Sequence, residues 1–338
     1  MTSPSQSLRS GSSSDPAPPL VLLCPVCRTA LDAPSADLFV CERCGRSFPV
    51  IAGIPDLRLS GDRYLTLEED RAKARRLASM EGSLTDLVRA YWQMTPEVPA
   101  SLAARYAAAA AAGVQRADVH LDRLGISGCD TVLDVGCGTG GLVSAAAARG
   151  ATAVGVDIAL RWLVVAARGL RDAGVTATLV AADGVHLPFA PGAFSVTTCI
   201  ETLEHTDDQR ALVYECLASL QPGGQVYLVT ANRFSLAPEP VVGLVGVGYL
   251  PRCLAAPYVR WRRATRYQYF RAVSARELRA MIGPGRQAEL GAACLPPPPS
   301  GASKLRQVAQ RGYELARAAP LTAQALRLVG PYHEVLCS

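Results

Sequence analysis

The sequence has very little lysine and little histidine. Lys73 and Lys304 are its only lysines, so the other basic residues are arginines, and there are four histidines in 338 residues. A lysine-rich electrostatic arm is therefore excluded, and few imidazoles are on offer for base or metal chemistry. No uninterrupted apolar run reaches about 18 residues, which excludes a spanning helix. Residues 1–19 are rich in Ser and Pro without an apolar stretch, so we expect a disordered tail, no secretory signal and a cytoplasmic location. Charged residues make up 19% and hydrophobic ones 49%, a balance that excludes a mostly disordered chain. The net charge of +5 is modest for a dedicated nucleic-acid binder, and the length allows two domains.

Cysteine, by contrast, is plentiful. There are eleven, an odd number that cannot all pair within one chain. Four stand together as Cys24-Pro-Val-Cys27, thirteen residues, then Cys41-Glu-Arg-Cys44-Gly45. Each C-x-x-C turn aims two thiolates at one point, and four thiolates complete a tetrahedral zinc shell with no open position, so a structural zinc is expected. A redox pair is disfavoured, because redox C-x-x-C occurs once and beside a βαβ pattern. The remaining seven, Cys129, Cys137, Cys199, Cys216, Cys253, Cys294 and Cys337, read as small apolar fillers in a reducing compartment.

Through Phe48-Pro-Val-Ile-Ala-Gly-Ile-Pro-Asp-Leu57, residues 20–60 resemble the small zinc-ribbon proteins that partner tRNA, rRNA and release-factor methyltransferases, a ribbon also found fused to bacterial methyltransferases. The resemblance implies the ribbon fold and leaves its role open.

Residues 61–125 read as a helical linker and cofactor lid, charged at first and alanine-rich later. From residue 131 short apolar strands alternate with helices, the pattern of a parallel sheet. Strands are expected at 131–135, 152–156, 176–180, 195–200 and 225–230, with helices at 142–148 and 208–220. Two further helical segments and a last strand at 333–337 follow a proline run at 296–299.

The segment Val132-Leu-Asp-Val-Gly-Cys-Gly-Thr-Gly-Gly141 lies between a strand and a helix and satisfies G-x-G-x-x-G, by itself weak evidence for any nucleotide cofactor. Asp134 separates the alternatives. A carboxylate two residues before the first glycine suits a cationic ligand, the α-amino group of S-adenosylmethionine, better than a pyrophosphate. Asp157 ends the second strand, where it can accept ribose hydroxyls, and Asp183 is placed for the adenine amino group.

Asp134–Gly140, Asp157, Asp183 with Leu187-Pro-Phe189, Leu203-Glu-His205 and Leu220-Gln-Pro-Gly-Gly224 occur in the order seen in class I S-adenosylmethionine-dependent methyltransferases, which residues 130–232 resemble. The resemblance, which extends to the ubiquinone-biosynthesis O-methyltransferases, implies an α/β, Rossmann-like sheet of seven strands whose last, at 333–337, is antiparallel. It implies a methyltransferase domain over 126–338 and S-adenosylmethionine contacts from Asp134, Gly136, Cys137, Gly138, Gly140, Asp157, Ile158, Asp183, Gly184 and Ile200. Ser195 departs from the family, which often carries Asp there.

A sulfonium methyl is already activated, so the protein aligns donor and acceptor and removes a proton where required. Candidate groups follow strand four: Glu201, Glu204 and His205, with His205 as general base and Glu201 beside it. The alternative is that Glu204 and His205 brace the loop. The E-x-x-E-H run is similar to that of ubiquinone-biosynthesis and small-RNA methyltransferases, which implies a second, divalent ion at Glu201, Glu204 and His205. The RNA enzymes need a further downstream histidine, which is missing between His205 and His333. Cys199, inside an apolar strand, reads as a buried thiol and not a nucleophile.

Residues 241–271 hold six arginines and no acid, interleaved with aromatics. We expect a substrate cap at about 232–272, with peripheral membrane contact through 241–271. The leading expectation is O-methylation of a small or lipid-linked metabolite. An rRNA or tRNA methyltransferase using the ribbon is the second, although residues 20–57 carry only Arg28, Arg43 and Arg46 against Asp32, Asp37, Glu42 and Asp56. A non-catalytic, partner-binding protein is the third.

Overall fold

A computed structural model describes residues 20–95, 100–265, 267–268, 270–296 and 303–338. The expected tail at 1–19, Arg266 and Tyr269 of the arginine–aromatic segment, and most of the proline run lie outside the described residues.

The first unit is a four-stranded antiparallel sheet in the order β1 (Asp32–Ser35), β2 (Leu38–Val40), β3 (Ser47–Ile51) and β4 (Ile54–Pro55). Four helices follow: α1 (Leu67–Ala78), α2 (Leu84–Gln93), α3 (Ala100–Ala111) and α4 (Gly113–Leu124). Their starts are written locally. Thr66 with Glu69 and Ser83 with Asp86 form capping boxes, each satisfying two N–H groups that a helix end leaves open. Gly125, in the left-handed conformation, closes α4.

The main sheet is built from β5 (Thr131–Val135), β6 (Thr152–Asp157), β7 (Thr178–Ala181), β8 (Phe194–Ile200), β9 (Leu220–Ala231), β10 (Ala288–Ala292) and β11 (Tyr332–Cys337). Its order is β10-β11-β9-β8-β5-β6-β7. β11 is antiparallel to both neighbours, while β5, β6, β7, β8 and β9 pair in parallel. The helices are α5 (Gly141–Ala148), α6 (Leu160–Asp172), α7 (Gln209–Ala218), α8 (Arg252–Arg263), α9 (Ala275–Ile282), α10 (Lys304–Ala318) and α11 (Pro320–Val329). The seven-stranded expectation and its antiparallel last strand agree with this order. The third strand begins two residues later than expected, because pairing with β6 starts at Val154 opposite Thr178. β10 was not located from the sequence: Ala-Glu-Leu-Gly-Ala has low strand propensity, and pairing with β11 defines it. Ser195 meets the strand-four position differently from an Asp, donating to Asp130 at 3.0 Å and accepting the Thr131 N–H at 3.0 Å.

The ribbon is packed onto this sheet. Asp56 bridges Ala181 in parallel and the Leu57 N–H donates to the Ala181 carbonyl at 2.8 Å. The open edge of β7 is thereby covered, which removes a site for unwanted strand pairing. The Leu23 N–H donates to Pro188 at 2.8 Å, and the Arg28 guanidinium donates to the carbonyls of Leu187 and Phe189. Leu22, Phe48 and Leu57 share one buried core with Leu187, Phe189 and Phe194.

Candidate active site

The four ribbon cysteines meet. Their sulfurs all lie within 4.8 Å of one another, with Cys24–Cys44 at 3.7 Å and Cys27–Cys41 at 3.3 Å. Tetrahedral zinc with bonds of about 2.3 Å sets sulfurs about 3.8 Å apart, so the set fits that ion. The two knuckles are built alike: the Arg28 N–H donates to Cys24 and the Gly45 N–H to Cys41, at 2.9 and 2.8 Å, and both residues take positive φ. The Thr29 hydroxyl, 3.3 Å from the Cys27 and Cys41 sulfurs, lowers both thiol pKa values, that of Cys41 to about 6. Thiolate is the form a metal takes.

The larger site is a cavity of about 760 Å³. Its floor is the loop after β5, with Asp134, Gly136, Cys137 and Gly138, together with Ile200 and Glu201 at the end of β8. These are the carboxyl ends of the central strands, where open α/β sheets place ligands. Its roof comes from the N-terminal helices: Lys73 on α1, Tyr91 and Trp92 on α2, Tyr106 on α3, and Arg116 and His120 on α4. The cavity lining includes none of the described residues of 232–272. The expected cap therefore does not close this cavity; the helices of 61–125 do. Val247 and Val259 are instead buried in a small cluster of their own, and Arg252 pairs with Glu277 at 2.7 Å.

The loop glycines act differently from one another. Gly136, at φ 78°, packs against Thr202, whose side chain would clash with any Cβ. Gly138, at φ 51°, faces open space and donates its N–H to the Asp157 carboxylate at 2.8 Å. Asp134 is buried and accepts the Thr198 hydroxyl at 2.7 Å. Burial raises its pKa to about 7, against the pull of that hydrogen bond. Such a carboxyl gains from a cationic ligand.

The other expected cofactor contacts do not line the cavity. Asp157 spends its two oxygens on the backbone N–H groups of Gly138 and Ala159, both at 2.8 Å. The Ile158 carbonyl accepts from Arg58 at 2.7 Å. Asp183 accepts the Val185 N–H at 3.1 Å, and the close approach of Leu212 and Val135 explains Gly184 by packing. Gly140, at the start of α5, lies against Ala166.

The three residues expected to hold a second ion are not brought together. Among the described residues the only group whose ligand atoms come together as a metal set is the four cysteines, not Glu201, Glu204 and His205. The Glu204 carboxylate turns into the sheet, accepting the Thr230 hydroxyl at 2.7 Å and the Ala231 N–H at 3.3 Å. Burial raises its pKa to about 7. Glu201 turns to Arg116, 3.4 Å away. His205 is exposed, stands edge-on to Phe270, and is absent from the cavity lining, so its placement does not support the expected base. Bracing of the loop, the alternative from sequence, describes Glu204 correctly. Cys199 is buried and inert, its thiol pKa well raised by the neighbouring Cys216 and by burial. Cys129 and Cys253 are exposed, which corrects their reading as fillers.

Sequence reading missed a buried ionic cluster beside this site. Arg58 pairs with Asp56 at 2.7 Å and with Asp70, while Arg161 pairs with Asp70 and Asp62, both at 2.7 Å. Asp70 also accepts the Leu160 N–H at 2.9 Å. The ribbon's tail, α1 and the start of α6 are thus tied together next to Asp157. Apart from Asp56 and Arg58, two positions from each other, the partners lie 12 to 99 residues apart in sequence, and no local pattern marks those pairings.

The strand order and the glycine loop agree with the sheet expected of class I methyltransferases. Residues 133–228 match the family model described as "Methyltransferase domain". The chain is 41% identical over 119 residues to the ubiquinone biosynthesis O-methyltransferase of Pseudomonas paraeruginosa, covering 33% of this chain and 48% of that protein. It is 40% identical over 125 residues to the one from Thiobacillus denitrificans, covering 36% and 53%. The chain thus spans about half the length of the curated relatives it matches. Among solved structures, it is similar to the complex between the Haloferax volcanii Trm112 methyltransferase activator and a putative methyltransferase, with TM-score 0.46, 18% identity and coverage of 70% and 93%. An S-adenosylmethionine-dependent methyltransferase from Mesorhizobium loti gives 0.42, 22%, 63% and 91%. The fold assignment rests on the strand order itself.

Proposed function

We propose that the protein is an S-adenosylmethionine-dependent methyltransferase that O-methylates a small or lipid-linked metabolite. One observation carries this reading: a buried carboxyl, Asp134, and a glycine loop share a cavity of about 760 Å³ with an aromatic roof. That volume lies within the range of about 300–1,000 Å³ usual for small-molecule sites. Asp134, Gly136, Cys137, Gly138 and Ile200 would hold the methionine end of the cofactor, with Asp134 taking its amino group. Asp157, Ile158, Asp183, Gly140 and Gly184 would form the ribose and adenine side. Asp157 and Asp183 retain lone pairs beyond the backbone bonds they already accept. The cofactor supplies an electrophilic methyl; the chain's own residues bind it, exclude water and orient the acceptor.

Zinc in the ribbon is structural in this reading, holding the module that covers β7. Enclosure of the cavity by α1–α4 supports a small acceptor over folded RNA, and the ribbon's near balance of charge supports the same choice. A cytoplasmic location fits the reduced thiols. The exposed apolar side chains Leu254 and Trp261, beside exposed Arg260 and Arg262, support peripheral contact with anionic lipid; no helix among the described residues is long and apolar enough to cross a membrane.

The test combines S-adenosylhomocysteine binding with transfer from methyl-labelled S-adenosylmethionine into lipid, metabolite, RNA and protein fractions of a cell extract. Label in the lipid or metabolite fraction is expected. Label in RNA alone overturns the acceptor class, and no binding overturns the enzyme reading in favour of a partner-binding protein.

A further inference from the structure

With His205 outside the cavity, the acceptor's proton lacks a destination. The cavity lining contains one imidazole, that of His120 on α4. It lies on the buried stripe of the helix with Ala117 and Leu121. Its Nδ1 is 3.0 Å from the Tyr227 hydroxyl on β9, and that hydroxyl is 3.0 Å from Glu334 on β11. Glu334 is held in turn by the Cys294 N–H at 3.1 Å and by Arg123 at 3.2 Å.

The hydrogen-bond directions are fixed by counting protons. A phenol has one, and Tyr227 donates it to the carboxylate. Toward His120 the phenol oxygen can only accept, so Nδ1 carries the imidazole proton. Nε2 is then the lone-pair side of the ring. No protein partner of Nε2 occurs among the described residues, and Nε2 is not among the sealed-off buried polar atoms.

We propose that Nε2 of His120 receives the acceptor's proton during methyl transfer, with Tyr227 and Glu334 as positioning residues. The assignment rests on the methyltransferase reading above. In the step, an oxygen lone pair of the acceptor forms the O–CH3 bond. The C–S bond breaks with its electron pair going to sulfur, giving S-adenosylhomocysteine. The O–H bond pair stays on oxygen and the proton passes to Nε2. The resulting imidazolium keeps its Nδ1–H bond to Tyr227, and Glu334 stabilises the charge through it.

Burial holds the free imidazole's pKa at about 4; Glu334 opposes that shift and Arg116 adds to it. Arg123 of the same helix and Tyr227 of β9 stand in the same network, and the cavity lining adds Asp134, Glu201, Lys73, Arg161, Cys137 and the phenols of Tyr64, Tyr91 and Tyr106. The ring is therefore neutral across the physiological range. A weak base suffices, because the hydroxyl becomes strongly acidic as its oxygen takes on the methyl.

The test needs no identified acceptor. Nitrogen-15 spectra of the histidine side chains, assigned with His120→Asn, are recorded with S-adenosylhomocysteine and with sinefungin, which carries an amine where the methyl stands. We expect the Nδ1–H form of His120 in both, and a change at its Nε2 with sinefungin alone. An Nε2–H form, or identical Nε2 signals with the two analogues, overturns the proposal. Failure of S-adenosylhomocysteine to bind overturns the underlying reading and this proposal with it. With methyl-labelled S-adenosylmethionine and total lipid and metabolite extract, His120→Asn, whose amide nitrogen can still donate to Tyr227, should lower the initial rate about 10²-fold with unchanged KM for the cofactor. Tyr227→Phe should lower it about tenfold, again through kcat. A wild-type rate in His120→Asn also overturns the assignment.

Discussion

The Asp157 carboxylate accepts the Gly138 N–H at 2.8 Å, so the acid at the end of β6 holds the glycine loop in place. The same carboxylate reaches Ala159 at the entry of α6. Asp157→Ala therefore removes loop geometry as well as the ribose contact proposed for it. It should weaken S-adenosylhomocysteine binding at least tenfold, about 1.4 kcal/mol, read by titration calorimetry. Wild-type affinity would show that the loop holds itself.

Asp134 gives cofactor binding a pH dependence. Burial raises its carboxyl pKa to about 7, and the ionised form attracts the ligand's amino group. Binding should tighten from pH 6 to pH 8 and release a proton below pH 7, seen as a buffer-dependent heat. Asp134→Asn should remove that proton release. Equal heats in all buffers with the wild-type protein contradict the placement of the amino group.

Glu204 bears on stability. Its folded pKa is about 7, above the ordinary carboxyl value, so the folded state holds a proton that the unfolded state has lost. Its contribution is complete in acid and falls as the pH rises from about 4.5 to about 7, on the order of 3 kcal/mol. Glu204→Gln should fold normally and flatten that part of the urea midpoint profile. It should also leave metal content unchanged; a lost equivalent of a second ion would place a metal at Glu204 after all.

The ribbon should carry one zinc per chain by elemental analysis, with binding that releases protons from the thiols. Cys41→Ser should lose it and uncover β7. The expected signs are a lower melting temperature and rapid amide exchange at Ala181 and Leu57. Unchanged exchange there would separate the metal from the docking.

Arg58 joins ribbon and lid. Arg58→Ala leaves Asp56 and Asp70 buried with fewer partners, which should cost about 3–5 kcal/mol in urea unfolding. Lys at this position restores charge but not the fork of bonds to Asp56, Asp70 and Ile158, and should recover only part of it. Full recovery by Arg58→Lys would mean charge alone matters.

The central sheet was legible because the strands alternate with helices and glycine loops mark the turns. β10 was illegible, since its only strand signal is its pairing with β11. The cysteine set could be read from spacing because each knuckle is local. Glu201, Glu204 and His205 misled because nearness in sequence does not fix where side chains point: Thr230 and Arg116 draw the two carboxylates apart.

The sequence by itself determined the fold class, the loop and the four thiols, all features whose causes lie within short stretches of chain. Only the tertiary structure decided what roofs the cavity, that the described residues of 232–272 do not, and that the acid ending β6 braces a loop. It also decided that a histidine scarce in sequence, on an ordinary apolar helix face, becomes the cavity's imidazole. Those are contacts between residues far apart in sequence, 107 positions in the case of His120 and Tyr227, set by packing and by the need to satisfy buried polar groups, which no local pattern records.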